Sequence, residues 1–258
     1  RKLLKIIYEK QNQHSWLNST LHGKILKGCI DDGADVQASF QWLMSANLRG
    51  EAVSSIFAIQ EQMIATRVIR KRIWKENIIS EKCRVCDQSI ESISHIVSSC
   101  TPLADKQYKD RHDNMLRGVY YYLLQSLNFT DMKIPSYDKI YCKIYWDTPI
   151  RTSNYVKYNK PDIVVIFKQK DDILIIEGSC PWDENLQKVI LEKRSKYISL
   201  SNELKLMYGK RKCRIIELVM GSTGIVDKTF KEGLRNITES KLDVDILFNE
   251  CQKTAILG

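Results

Sequence analysis

The sequence predicts an α/β fold in which a mixed sheet is flanked by helices and preceded by a helical region and a small cysteine-histidine element. Three stretches carry that reading. Ile163-Val164-Val165-Ile166-Phe167 and Ile173-Leu174-Ile175-Ile176 are short apolar runs rich in β-branched residues, which read as buried strands rather than helix. From Leu186 onward Leu186, Val189, Ile190, Tyr197, Leu200 and Leu204 recur at helical spacing, giving one helix with one buried stripe. Upstream, Cys83, Cys86, His95 and Cys100 gather three of the cysteines and a histidine in a short span.

Composition bounds the function. The 258 residues allow one large domain or two small ones, and 43% hydrophobic residues suffice for a core. No apolar run reaches the roughly 18 residues of a membrane span, so no membrane span is expected. The chain opens Arg1-Lys2-Leu3-Leu4-Lys5, with neither an initiator Met nor the apolar core of a signal peptide; this predicts a piece of a longer chain. A net charge of +9 and an isoelectric point near 9.0 favour an acidic partner, nucleic acid first and anionic membrane second. Eight cysteines in a chain read as intracellular argue against a disulfide framework, and Cys29, Cys142, Cys180, Cys213 and Cys251 read as ordinary reduced residues. There is no GxxxxGK[ST] loop, which argues against ATP-driven chemistry, and no aspartate pair of a polymerase palm.

Taken in order, residues 1–80 read as a helical region. Ser39 to Asn47 reads as a short helix, and Glu51 to Lys75 as a longer one with Ala52, Ile56, Ile59 and Met63 at helical spacing. Arg67, Arg70, Lys71, Arg72 and Lys75 load its last turns. They are either cations favoured by the macrodipole at a helix C-terminus or a phosphate-contacting edge.

Residues 81–101 hold C-x2-C-x8-H-x4-C. Tetrahedral zinc takes four thiolate or imidazole ligands; the CxxC turn offers two, and His95 and Cys100 offer the rest. The intervening residues cannot fold around a core of their own, so the metal would supply the folding energy. Such a CCHC knuckle is either structural or in contact with nucleic acid, and unligated thiols at this spacing are the plainer alternative.

Residues 102–130 read as a connecting helix, with Tyr108, His112, Met115, Val119 and Tyr122 on one stripe. A lone histidine on an apolar face is usually a satisfied core residue, so His112 is at most a support for other groups. The α/β part spans 131–248. It begins with a loop from Met132 to Asp138, continues with a half-exposed strand from Ile140 to Trp146, and includes a strand from Arg214 to Met220 and a helix from Val226 to Ile237. Residues 249–258 form a tail.

The chemistry concentrates between 160 and 197. If Lys168 to Asp171 turns the first apolar run back along the second, Asp162 enters the hairpin beside the point where Glu177 leaves it. Two carboxylates at one sheet edge repel unless a cation sits between them. Oxygen-only ligation suits Mg²⁺. Lys193 falls on the buried stripe of the next helix, four residues after Val189 and four before Tyr197, and Lys196 at its margin. A buried ammonium needs a negative partner, and the two acids are the nearest supply. The plainer reading is a snorkelling lysine paired with a structural carboxylate.

Pro161-Asp162, then Glu177, then lysines on the following helix resemble the PD-(D/E)xK nuclease pattern. They resemble most closely the restriction-like endonuclease of site-specific non-LTR retrotransposons, the kind that insert into ribosomal RNA genes. In that family the lysine has moved from two residues after the second acid, where this chain has Ser179, to the next helix. Lys193-x-x-Lys196-Tyr197, Trp146-Asp147-x-Pro149-Ile150 and the upstream CCHC motif match as well; His112, in Arg111-His112-Asp113, matches an Arg-His pair. Glu177 departs from the aspartate common in the family.

The resemblance implies a restriction-endonuclease-like domain and a metal-dependent DNA endonuclease. Asp162 and Glu177 would hold Mg or Mn, Lys193 and Lys196 would serve catalysis, and the zinc would be structural. Tyr197, Arg67, Arg70, Lys71, Arg72, Lys210 and Arg211 are the candidate nucleic-acid contacts. It further implies a nick whose 3′-hydroxyl primes reverse transcription, target DNA and element RNA as partners, a reverse transcriptase half in the same polyprotein, and a nuclear location. The alternatives are a catalytically inactive zinc-containing nucleic-acid-binding module and an assembly domain that docks the polymerase half.

Overall fold

The computed structural model of the chain describes residues 2–19, 22–31, 33–129 and 136–258. Five strands, β1 (Ser136–Asp138), β2 (Cys142–Trp146), β3 (Ile163–Phe167), β4 (Ile173–Ser179) and β5 (Arg214–Val219), form one sheet in the order β1-β2-β3-β4-β5. The first four run antiparallel to their neighbours, and β5 joins β4 in parallel. A parallel step needs a long crossover, which α9 (Leu186–Lys196) and α10 (Ile198–Tyr208) supply. The fold is thus the mixed α/β sheet with flanking helices that the sequence predicts.

Side chains alternate between faces along each strand, and both faces of the central strands are buried. Ile163, Val165, Leu174, Ile176, Ile216 and Leu218 pack on one side against α8 (Lys109–Ser126), α11 (Lys228–Arg235) and α12 (Lys241–Leu257). Val164, Ile166, Ile173 and Ile175 pack on the other against Tyr197, Leu200 and Leu204. With no solvated face, these strands read as continuous apolar runs rather than alternating ones.

Several expected elements differ. The helix predicted through Leu204 is two, broken at Tyr197 (φ −106°, ψ 13°). Its stripe serves two clusters: Leu186 and Ile190 meet Trp182 and Val219, whereas Leu200 and Leu204 lie on β3 and β4. The helix predicted over 51–75 is α5 (Gly50–Gln60), preceded by α1 (Lys2–Leu17), α2 (Lys24–Asp31), α3 (Val36–Ser39) and α4 (Trp42–Ser45). It stops because Gln62 takes a left-handed φ of 55°, and only a π-helical turn, Ile69–Ile73, follows. The helix expected from Ser39 to Asn47 is the shorter α4, and α3 ends where it was expected to begin. The loop expected from Met132 lies outside the described residues as far as 135, and the rest of it is strand β1, paired with β2.

The boundary expected at residue 248 runs through α12, whose Val244, Phe248, Cys251 and Ala255 are buried. The connecting helix is core rather than spacer, because Met115, Leu116, Val119 and Leu123 of α8 belong to the same cluster as the sheet. The short helices α6 (Ile93–Ser98) and α7 (Thr101–Leu103) complete the chain. Ile93 and Val97 of α6 pack beside Trp182, Leu186 and Ile190, which fixes the cysteine-histidine element to the start of the crossover.

Candidate functional site

The register of the β3–β4 hairpin places its two acids together. Ile163 pairs with Ile176, so the next positions outward are Asp162 and Glu177. The Asp162 amide donates to Glu177 Oε2 at 3.3 Å. Glu177, still on the strand, projects to the α9–α10 face and is only 2% exposed. Its Oε1 accepts from Lys193 Nζ at 2.6 Å and from Lys196 Nζ at 2.9 Å. Both lysines lie in the last turn of α9, so the break at Tyr197 comes immediately after the pair that Glu177 needs. Lys196 also lies 4.7 Å from the Tyr197 ring centroid and 5.8 Å from that of Tyr158.

Asp162 is held from the opposite face. Its Oδ2 accepts from the Gly178 amide at 2.7 Å and lies 3.1 Å from His112 Nε2 on α8. The other imidazole nitrogen lies 2.9 Å from Asp113 Oδ1. An imidazole flanked by two carboxylates satisfies both only as the doubly protonated cation. Burial alone would push His112 down, but Asp162 and Asp113 outweigh it and hold it at about 9. Burial would likewise raise the Asp162 carboxyl, yet His112, the Gly178 amide and Lys193 hold it below its ordinary value.

Close approach of α8 makes this contact possible. A β-carbon on Gly178 would fall 2.7–2.9 Å from the Leu116 side chain, one turn beyond His112. The support that His112, Asp113 and Gly178 give to Asp162 goes beyond the satisfied core histidine that the sequence predicts at position 112. The Arg111-His112-Asp113 triplet was its one visible trace.

The cysteine-histidine element is equally well assembled. Among the described residues, Cys83, Cys86, His95 and Cys100 are a group able to hold a metal ion, with all ligand atoms within 4.8 Å of one another. Cys83 Sγ and Cys100 Sγ are 3.8 Å apart, and Cys86 Sγ lies 3.3 Å from His95 Nε2. The Ser89 and Gln88 amides hold the Cys86 thiol down at about 6, which favours the ligating thiolate. Ser92 caps α6 by accepting from the His95 amide at 3.1 Å. Buried Glu91 accepts from the Arg67 and Arg84 amides at 2.9 and 2.8 Å and from the Arg84 guanidinium.

Other expected contacts do not join the acid site. Tyr197 is 1% exposed, and its hydroxyl donates to the Lys160 carbonyl at 2.9 Å; it packs the core and is not available to a phosphate. Arg70 pairs with Glu76 and Arg72 with Glu81, while Arg67 donates to the Lys82 carbonyl. Among the described residues, Arg67, Lys71 and Lys75 of the upstream cations make no ion pair. Lys210 donates to the Lys168 and Lys170 carbonyls, and the Arg211 amide donates to Asp171. Lys210 and Arg211 therefore cap the turn at the far end of the hairpin, about 20 Å from the acids at the usual rise per residue.

Compared with known protein families and with curated proteins, the chain finds no match.

Proposed function

We propose that the chain is a metal-dependent DNA endonuclease of the restriction-like PD-(D/E)xK kind, with its lysine displaced to the helix after the second acid. The observation that carries this is the convergence of Lys193 and Lys196 on Glu177 at the same hairpin end as Asp162. An active site needs this combination of opposite charges where a polyanionic substrate must lose and gain charge.

The donor set fits a hard divalent cation. Asp162 and Glu177 offer carboxylate oxygens alone, the preference of Mg or Mn, and Asp162 Oδ1 takes no hydrogen bond among the described residues. Asp162 and Glu177 would hold the ion, which when bound supplies Lewis acidity at the phosphoryl oxygen and a lowered pKa for water. The protein's own groups do the rest. His112⁺ and the Gly178 amide fix Asp162 Oδ2, leaving the other oxygen to ligate. The Lys193 ammonium can move from Glu177 to the scissile phosphate and neutralise the charge that develops there. Lys196, with an aromatic ring on either side, holds the Glu177 carboxylate while Lys193 is engaged.

Zinc is the metal we assign to Cys83, Cys86, His95 and Cys100. A tetrahedron built on Zn–S bonds of ~2.3 Å has an edge of about 3.8 Å, the spacing seen between two of the sulfurs. The packing of Ile93 and Val97 of α6 beside Leu186 and Ile190 of α9 supports a structural role for this knuckle. Placing the nick at the priming step of a retrotransposon, with DNA, element RNA and a polymerase half as partners, rests on the resemblance of the motifs.

A second reading has its own observation: Glu177 is fully neutralised by its lysines, as in an inactive nucleic-acid-binding module. Asp162→Ala separates the two. The nuclease reading requires that cutting be lost while DNA binding persists, since no basic contact is removed. Metal analysis of the purified protein should find about one equivalent of zinc; less than half an equivalent would remove the knuckle.

A further inference from the structure

The segment between β2 and β3 is an irregular loop with an unusual division of labour. Its backbone is fixed at three points. The Ile150 amide donates to the Asn159 carbonyl at 2.7 Å. The Asn154 amide and side chain donate to Glu203 on α10 at 2.9 and 3.0 Å. The Lys160 carbonyl accepts from Tyr197. Ile150 is buried and Val156 packs on the core beside it. The loop therefore had apolar residues to bury and buried them, yet it leaves Tyr155 92% exposed and Tyr158 43% exposed.

Charge and position say what these rings face. From Thr148 to Pro161 the loop holds Arg151, Lys157 and Lys160 and no acidic residue; Lys160 pairs with Asp147 at 2.7 Å, which leaves Arg151 and Lys157 as the cations beside the rings. Arg151 and Lys157 are exposed, and Lys157 Nζ lies 5.1 Å from the Tyr158 ring centroid. The same ring shares Lys196 with Glu177, so the loop lines the approach to the acid site.

Exposed aromatic rings interleaved with cations suit single-stranded nucleic acid: bases stack on the rings and the cations follow the phosphates. A paired duplex keeps its base faces stacked internally and offers the rings nothing comparable. We propose that residues 151–160 form a stacking platform for unpaired bases, with Tyr155 as its principal ring. Resting on the nuclease reading above, the platform makes the preferred substrate a DNA with a single-stranded stretch beside the phosphate to be cut.

The test is an anisotropy titration of the whole protein against two labelled DNAs of one length, a fully paired duplex and a duplex with a central unpaired stretch. It is run at low salt without added divalent ion, so that cutting plays no part and the knuckle keeps its zinc. Wild type should bind the unpaired-stretch DNA more tightly. Tyr155→Ala should lose about 5-fold or more of that affinity and leave the paired duplex unchanged, whereas Tyr155→Phe should behave as wild type. Lys157→Ala should weaken both DNAs alike. If Tyr155→Ala and the Tyr155→Ala/Tyr158→Ala pair bind both DNAs as wild type does, or weaken both equally, the platform is wrong and the rings serve a protein partner instead. Cutting of the same two DNAs in Mg²⁺ is scored separately. Failure to cut, with the binding preference intact, removes the nuclease reading and leaves the platform standing.

Discussion

His112 and Asp162 meet at 3.1 Å although 50 residues separate them in sequence. The contact ties α8, and through it the cysteine-histidine element, to the acid at the entry of β3. With Asp113 behind it, His112 acts on Asp162 as a positioning residue. His112→Ala should lower cutting about 10- to 100-fold, the usual cost of losing a group that orients a metal ligand. It should also raise the Mg²⁺ concentration needed for half-maximal rate and leave DNA affinity measured without added divalent ion unchanged. An unaltered metal requirement would show that His112 only fills space.

Gly178 gives an independent handle on the same contact. Because Leu116 lies where a β-carbon would stand, Gly178→Ala must push α8 outward or strain the end of β4. Overpacking of this kind costs about 1–3 kcal/mol. Urea unfolding should show that loss, and cutting should fall as it does for His112→Ala. Leu116→Ala in the Gly178→Ala background should recover part of the activity.

Glu177 has two cationic partners and is almost fully enclosed. Lys193→Ala or Lys196→Ala alone leaves the carboxylate one partner, so each variant should fold with modest loss. Removing both leaves an uncompensated buried charge, costing about 3–5 kcal/mol, more than the two single losses added together. The double variant should regain stability with Glu177→Gln. Activity should separate the lysines: Lys193→Ala abolishes cutting, and Lys196→Ala reduces it.

Asp183 supplies a pH dependence away from the acid site. Burial pushes its carboxyl up to about 6, against hydrogen bonds from Thr223. A carboxyl whose folded pKa lies above its unfolded value takes up a proton on folding. Its favourable contribution is complete below about pH 4 and lost as pH rises through about 6. Stability should therefore fall by on the order of 3 kcal/mol across that window. Asp183→Asn should flatten this part of the profile and stabilise the protein at neutral pH; an unchanged slope would contradict the account.

The fold was legible where pattern and burial agree. The β-branched runs at 163–167 and 173–176 are strands, and the turn between them sets the register that joins Asp162 to Glu177. Lys193 was readable because its spacing from Val189 and Tyr197 put it toward the sheet. The break at Tyr197 was not, since the stripe stays periodic while its two halves pack on different clusters. The end of α5 was hidden for a similar reason: Met63 keeps the helical spacing but is exposed. The hold of His112 and the Gly178 amide on Asp162 depends on how closely two distant segments approach, which local spacing does not encode.

The central claim is that the hairpin end cuts DNA with a divalent ion held by oxygen ligands. Nicking of supercoiled plasmid tests it most directly, with wild type and Asp162→Ala compared in Mg²⁺, in buffer without added divalent ion so that the zinc stays bound, and in that buffer after Mg²⁺ is supplied. The account predicts nicked circles from wild type in Mg²⁺, none without divalent ion, nicking once Mg²⁺ is supplied, and none at any stage from Asp162→Ala, which still binds the plasmid. Wild type that binds but never nicks, or an Asp162→Ala variant that nicks at the wild-type rate, would contradict it.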